Sequence, residues 1–167
     1  DYGADFPALL AERYPDAPEV GELAALDWAL RRAFDSPDTP PIEAQALAGV
    51  DWERARLRFV PSLRVLPAHS NAAAIWKALA EDGMPPPAAR LPAPGAIRVW
   101  RQQLAPRFQS MDALERRALA LCLDGAGFAS LCEALAADGD AAQAAADAGR
   151  LLAEWLRDGL LAAIDED

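Results

Sequence analysis

The sequence predicts an α+β protein, mostly α: a helical N-terminal segment followed by a small antiparallel β-sheet with a winged-helix-like three-helix unit. Three observations carry this. Alanine supplies much of a 53% hydrophobic composition, which favours helix. Apolar residues recur at helical spacing at both ends of the chain. Between them lie short stretches, rich in arginine and β-branched or aromatic residues, that alternate with a period of two.

Residues 5–14 read as a short helix with Asp5 as N-cap and Pro7 in its first turn. Tyr14-Pro15-Asp16-Ala17-Pro18 ends it. Residues 19–34 form a second helix with Leu23, Leu26, Leu30 and Phe34 on its apolar stripe. A proline-rich loop and a short helix over 42–48, closed by Gly49, follow. Arg56–Val60 and Leu63–Val65 then alternate, with Leu57, Phe59, Leu63 and Val65 on one side and Arg56, Arg58 and Arg64 on the other. Pro61 marks an edge strand or a bulge. Ser70 or Asn71 caps a helix to Glu81, and the prolines of 83–95 make a stiff connector. Ile97–Arg101 and 106–110 read as a hairpin. Asp112 and Glu115 open a helix to Leu123 in capping-box spacing. Gly125-Ala126-Gly127 turns into a helix over 128–137, Asp138-Gly139-Asp140 turns again, and a long helix covers 141–164.

The division expected is 1–49, a helical segment, and 50–167, a winged-helix-like peptide-recognition domain. The chain opens with Asp1 rather than Met, so the expectation is that the natural protein continues upstream.

Charge restricts the function. The chain carries −10, unevenly: residues 54–107 hold nine cations against two acids, +7, leaving −17 for the rest. An acidic chain is a poor default binder of DNA, because affinity there comes from neutralising phosphates. The helix–turn–helix around 113–137 has the layout of a DNA reader, but its second helix carries Glu133, with Asp138 just at its end, and no Arg or Lys. DNA is therefore disfavoured as a partner. No apolar run approaches the roughly 20 residues of a membrane helix, and no membrane partner is expected. Two cysteines make no disulfide framework; they fit a reducing compartment and a cytoplasmic location.

The usual catalytic constellations are not found. His69 has no ligand partner at useful spacing, so no metal and no cofactor is expected. Cys122 and Cys132 sit among leucines and read as core thiols. The chain contains no G-x-S-x-G and no glycine-rich phosphate loop. Carboxylates gather at helix starts and at Asp165-Glu166-Asp167, where capping and solubility explain them. The expectation is a protein that binds rather than catalyses. A small sheet with an open edge accepts an extended peptide as an added strand. Arg56, Arg58, Arg64, Arg98 and Arg101 would pair with its acids, and Trp100 would anchor an apolar side chain. Read the other way, Trp100 is core and the arginines are solvated.

Gly3-Ala4-Asp5-Phe6-Pro7 after Tyr2, Leu26-Asp27-Trp28-Ala29-Leu30 with Ala33-Phe34-Asp35, Pro61–Leu66 before Ile75-Trp76, and Val99-Trp100-Arg101 before Glu115, Leu119 and the glycine turn together resemble the HvfC/BufC family. The resemblance spans essentially the whole chain; the order of these motifs carries it, since no single one is diagnostic. It implies a non-catalytic partner of a multinuclear non-haem iron-dependent oxidase in ribosomal peptide modification, one that recognises the precursor's leader peptide. The iron would belong to that oxidase. Residues 1–49 would be the tail of an N-terminal helical domain. Members have also long carried a DNA-binding label, so a DNA-binding transcriptional regulator is the alternative.

Overall fold

A computed structural model describes residues 3–137 and 140–166. The chain is mixed α+β, with small antiparallel sheets. It forms two compact units, each built from two stretches of chain: 1–36 with 62–112, and 37–61 with 113–167. The division therefore does not fall at residue 49. The chain leaves the first unit after the second helix, returns to it at Ser62, and leaves again at the start of the C-terminal helices.

In the first unit, α1 (Phe6–Arg13) and α2 (Pro18–Phe34) form a helical hairpin. Its crossing is tight at Gly21, where a Cβ would stand 3.0 Å from that of Ala11. The strands β2 (Arg64–Ser70), β3 (Arg90–Gln102) and β4 (Ala105–Met111) pair in the order β2-β3-β4. Here α2 packs across one face of the sheet, with Leu26, Ala29, Leu30 and Ala33 on Ala68, Ile97 and Val99. Phe34, expected on the apolar stripe, is 55% exposed. Close approach to the sheet selects alanine, so the buried stripe turns onto Ala29 and Ala33. Between β2 and β3 lies α3 (Ala72–Ala80), whose Trp76 meets Phe108 edge-on at 5.2 Å.

Two expectations change here. The alternating run 56–65 is not one strand: it splits at Pro61 into strands of different sheets. The proline connector is partly strand, because β3 begins at Arg90. Pro92 and Pro94 fall where the β2–β3 register jumps from Ala68↔Gly95 to Ser70↔Arg90, a bulge that needs no ladder N–H from them. Asn71 pins the preceding loop, donating from Nδ2 to the Pro87 carbonyl and accepting from the Ala89 N–H, both at 2.9 Å.

In the second unit, a 3-10 turn (Ala44–Leu47) precedes β1 (Ala55–Phe59). The helices α4 (Ala113–Leu123) and α5 (Phe128–Ala136) follow as expected, and α6 (Ala141–Arg157) begins where expected. The Asp138-Gly139 turn lies outside the described residues, as do Tyr2 and Asp167. The last helix does not reach 164. Gly159 takes a left-handed φ of +71°, its N–H bonds Leu156 O at 3.0 Å, and the Leu160 N–H bonds Trp155 O at 2.8 Å. These are the paired bonds of a Schellman stop. Beyond it β5 (Leu161–Glu166) pairs antiparallel with β1. The three helices thus accompany the two-stranded β1–β5 ribbon, not the three-stranded sheet. Glu115 is 4% exposed and accepts the Trp155 indole N–H at 3.1 Å, a core role beyond capping.

Candidate functional site

The alternating arginines have different fates. On β1, Arg56 is exposed and donates to the Gly125 carbonyl at 3.0 Å. Exposed Arg58 pairs with Asp165 across the ribbon at 3.3 Å. Such a surface pair is worth about 0–1 kcal/mol. On β2, Arg64 is exposed. On β3, Arg101 donates to the Phe34 carbonyl at 2.8 Å. Arg98 and Trp100 depart from the expectation of exposed peptide contacts. Arg98 is 0% and Trp100 4% exposed, and the guanidinium stacks 4.5 Å above the indole. Arg98 also donates to Gln109 Oε1 at 3.1 Å. Residues 96–100 are all buried, so β3 is covered on both faces and its alternation does not separate wet from dry. The six residues singled out in the sequence are also divided: Arg56 and Arg58 belong to one unit, Arg64, Arg98, Trp100 and Arg101 to the other.

The two-residue hairpin loop fixes which backbone groups face outward. Gln103 and Leu104 join Gln102 to Ala105, with φ +56° at Gln103, so Gln102 and Ala105 are the hydrogen-bonded closing pair. Alternation then makes Trp100:Arg107 and Arg98:Gln109 hydrogen-bonded pairs. Pro106, Phe108 and Ser110 turn their backbone groups away from β3. Proline at 106 therefore costs the ladder nothing. Among the described residues no hydrogen bond reaches the outer N–H or C=O of Phe108 or Ser110.

Beside the start of this edge runs a groove of about 620 Å³, lined by the apolar Trp28, Leu30 and Phe34 of α2 and Pro106 and by the charged Asp27, Arg31, Arg32 and Asp35. On the opposite face of β4, Arg107 is exposed and, among the described residues, has no ion-pair or hydrogen-bond partner. A carboxylate could pair there without displacing one already bound.

The other edge strand, β2, is closed towards its C-terminal end. There Val65, Pro67 and His69 face outward; Pro67 has no N–H, and the His69 N–H donates to Glu22 Oε1 at 2.6 Å. Glu22 also accepts from the Ser70 N–H and hydroxyl, at 3.1 and 2.6 Å, and lies 3.2 Å from His69 Nδ1. In the β1–β5 ribbon, the outer edge of β5 is bridged near both ends, by the Ile42 N–H on Leu161 O at 2.9 Å and by the Asp51 N–H on the Glu166 carboxylate at 3.1 Å.

The thiols are raised rather than activated. Burial pushes Cys122 up to about 11, with Cys132 nearby adding to it. Burial is also the main cause of the rise at Cys132. Both are protonated at neutral pH, and a thiol is a poor nucleophile. Among the described residues no three His, Cys, Asp or Glu side chains converge as metal ligands, and no helix is long and apolar enough to cross a membrane.

Sequence reasoning placed the third strand but missed Arg107, Phe108 and the Trp28 groove. Pro106 followed by alternating Arg107, Phe108 and Gln109 is the signal that finds them: a proline-started edge strand with one apolar side. Fold and site together define a two-unit α+β protein with an exposed strand edge. Comparison with known protein families, with curated proteins and with solved structures finds no match.

Proposed function

We propose that this chain is a non-catalytic partner protein that binds an extended precursor peptide as a fourth strand on the β4 edge of its three-stranded sheet. The observation that carries it is the pair of outward backbone groups at Phe108 and Ser110, next to a groove and to Arg107, which has no partner among the described residues. Unsatisfied main-chain groups along an edge are a template for another strand. Burial of Arg98 and Trp100 removes them from the contact set; Arg107 and the groove take their place. That the peptide is then presented to an iron-dependent oxidase rests on the resemblance to the HvfC/BufC family; a cytoplasmic location rests on the two free cysteines. Any iron would be held by that oxidase.

The test is a titration of isotope-labelled protein with a 12-residue acidic peptide and, separately, with random duplex DNA. Peptide binding should shift the Phe108 and Ser110 amides and slow their exchange with solvent. Saturable, salt-sensitive DNA binding centred on α5, with no peptide effect at β4, would instead establish the DNA-binding regulator.

A further inference from the structure

From the register of β4 we infer that the edge selects a peptide carrying an alternating apolar–acidic–apolar triplet. This rests on the peptide-binding reading above and adds the chemistry of the occupant.

A strand added to β4 forms its hydrogen-bonded pair with Phe108, since that residue directs both backbone groups outward. Side chains directly opposite one another in a sheet lie on the same face. The peptide residue opposite Phe108 therefore lies on the α2 face, beside an apolar ring. Its neighbour opposite Arg107 lies on the other face, against the exposed guanidinium. The next residue, opposite Pro106, returns to the α2 face at the groove lined by Trp28, Leu30 and Phe34. A groove of about 620 Å³ is within the range that takes a large side chain. The three positions thus ask for an apolar residue, an acid and an apolar residue. The order reads the same in both directions, so a parallel and an antiparallel peptide meet the same demand. The carboxylate chosen by Arg107 is the exposed, specificity-setting contact, and the apolar anchor in the groove is the buried one.

The test uses the full chain and three 12-residue synthetic peptides: one with a central Leu-Asp-Leu, one with Leu-Lys-Leu, and one in which the same residues as the first are reordered to Leu-Leu-Asp. The Asp triplet should bind at least about fivefold more tightly than either of the others. Arg107→Glu should reverse the preference between the Asp and Lys peptides, a rescue that a merely weakened fold could not give. Phe34→Ser should weaken the Asp triplet without altering the Asp-over-Lys ratio. Equal binding of the ordered and reordered peptides, with the Phe108 and Ser110 amides shifted by both, would overturn the triplet and leave the edge reading standing. No binding by any peptide, with those amides unmoved, would overturn both.

Discussion

The two outer strands of the three-stranded sheet differ in how their outward backbone groups are treated. On β2, Pro67 removes one donor, and Glu22 engages the next, at His69, and holds Ser70 as well. Only Val65 keeps both of its groups open there. On β4 proline stands only at the start, and Phe108 and Ser110 keep consecutive pairs open. Proteins blunt strand edges because an open one invites pairing with another chain. One edge of this sheet is blunted twice over and the other is left open where a groove and an arginine adjoin it. The difference separates two strands that share one central partner.

The largest expected effect breaks both edges at once. Arg98 sits in the central strand at 0% exposure, stacked on Trp100 and bonded to Gln109. Arg98→Glu puts a carboxylate against an indole face and leaves Gln109 without its donor. A loss of about 3–5 kcal/mol is expected, the scale for breaking a buried charge contact, seen as a collapsed urea midpoint. A variant that folds normally would show that Arg98 is solvent-accessible, and the account of β3 would fail.

This variant also shows where the sequence was readable. Helix positions followed from apolar spacing, and α2, α3, α4 and α5 fall within a residue or two of where the pattern puts them. The hairpin was legible because strand alternation and β-rich composition agree. The arginines were not, because alternation reports one covered face, and β3 has two. Guanidinium–indole stacking lets an arginine satisfy a buried position that a charge count assigns to water. The last strand was hidden for another reason. Leu160-Leu161-Ala162-Ala163-Ile164 continues a helical apolar pattern, and only the glycine at 159, free to adopt a positive φ, ends it. The pairing of β1 with β5 joins residues more than 100 apart, which no local pattern encodes.

Next in size is Glu22→Gln, which tests the closed edge. Its carboxylate accepts three hydrogen bonds from the end of β2, and hydrogen bonds to a charged group contribute about 1.5–3 kcal/mol. The amide keeps one acceptor oxygen and loses the charge, so a destabilisation of about 1.5 kcal/mol is expected by urea denaturation. Amide exchange at His69 and Ser70 should accelerate while Phe108 and Ser110 are unchanged. Acceleration at both edges would mean that the strands do not open independently.

The smallest effect on stability should be the largest on function. Ser110→Pro gives β4 the device that β2 already has at Pro67. The removed N–H points outward and carries no bond to β3, so the ladder loses nothing and the cost should stay within about 1 kcal/mol, the scale of substitutions that disturb no buried contact. The added strand, however, loses the N–H donor of the second of its two consecutive anchoring pairs and meets a proline ring at that edge, a device that blunts strand addition. Peptide affinity should fall by at least about tenfold, equivalent to 1.4 kcal/mol, measured by titration against the unmodified chain. Gln109→Pro is the matched control: its N–H faces β3, so it should damage the fold instead. If Ser110→Pro bound the peptide as well as the parent, the open edge would be an accident of the sheet's end, and the asymmetry between β2 and β4 would carry no function.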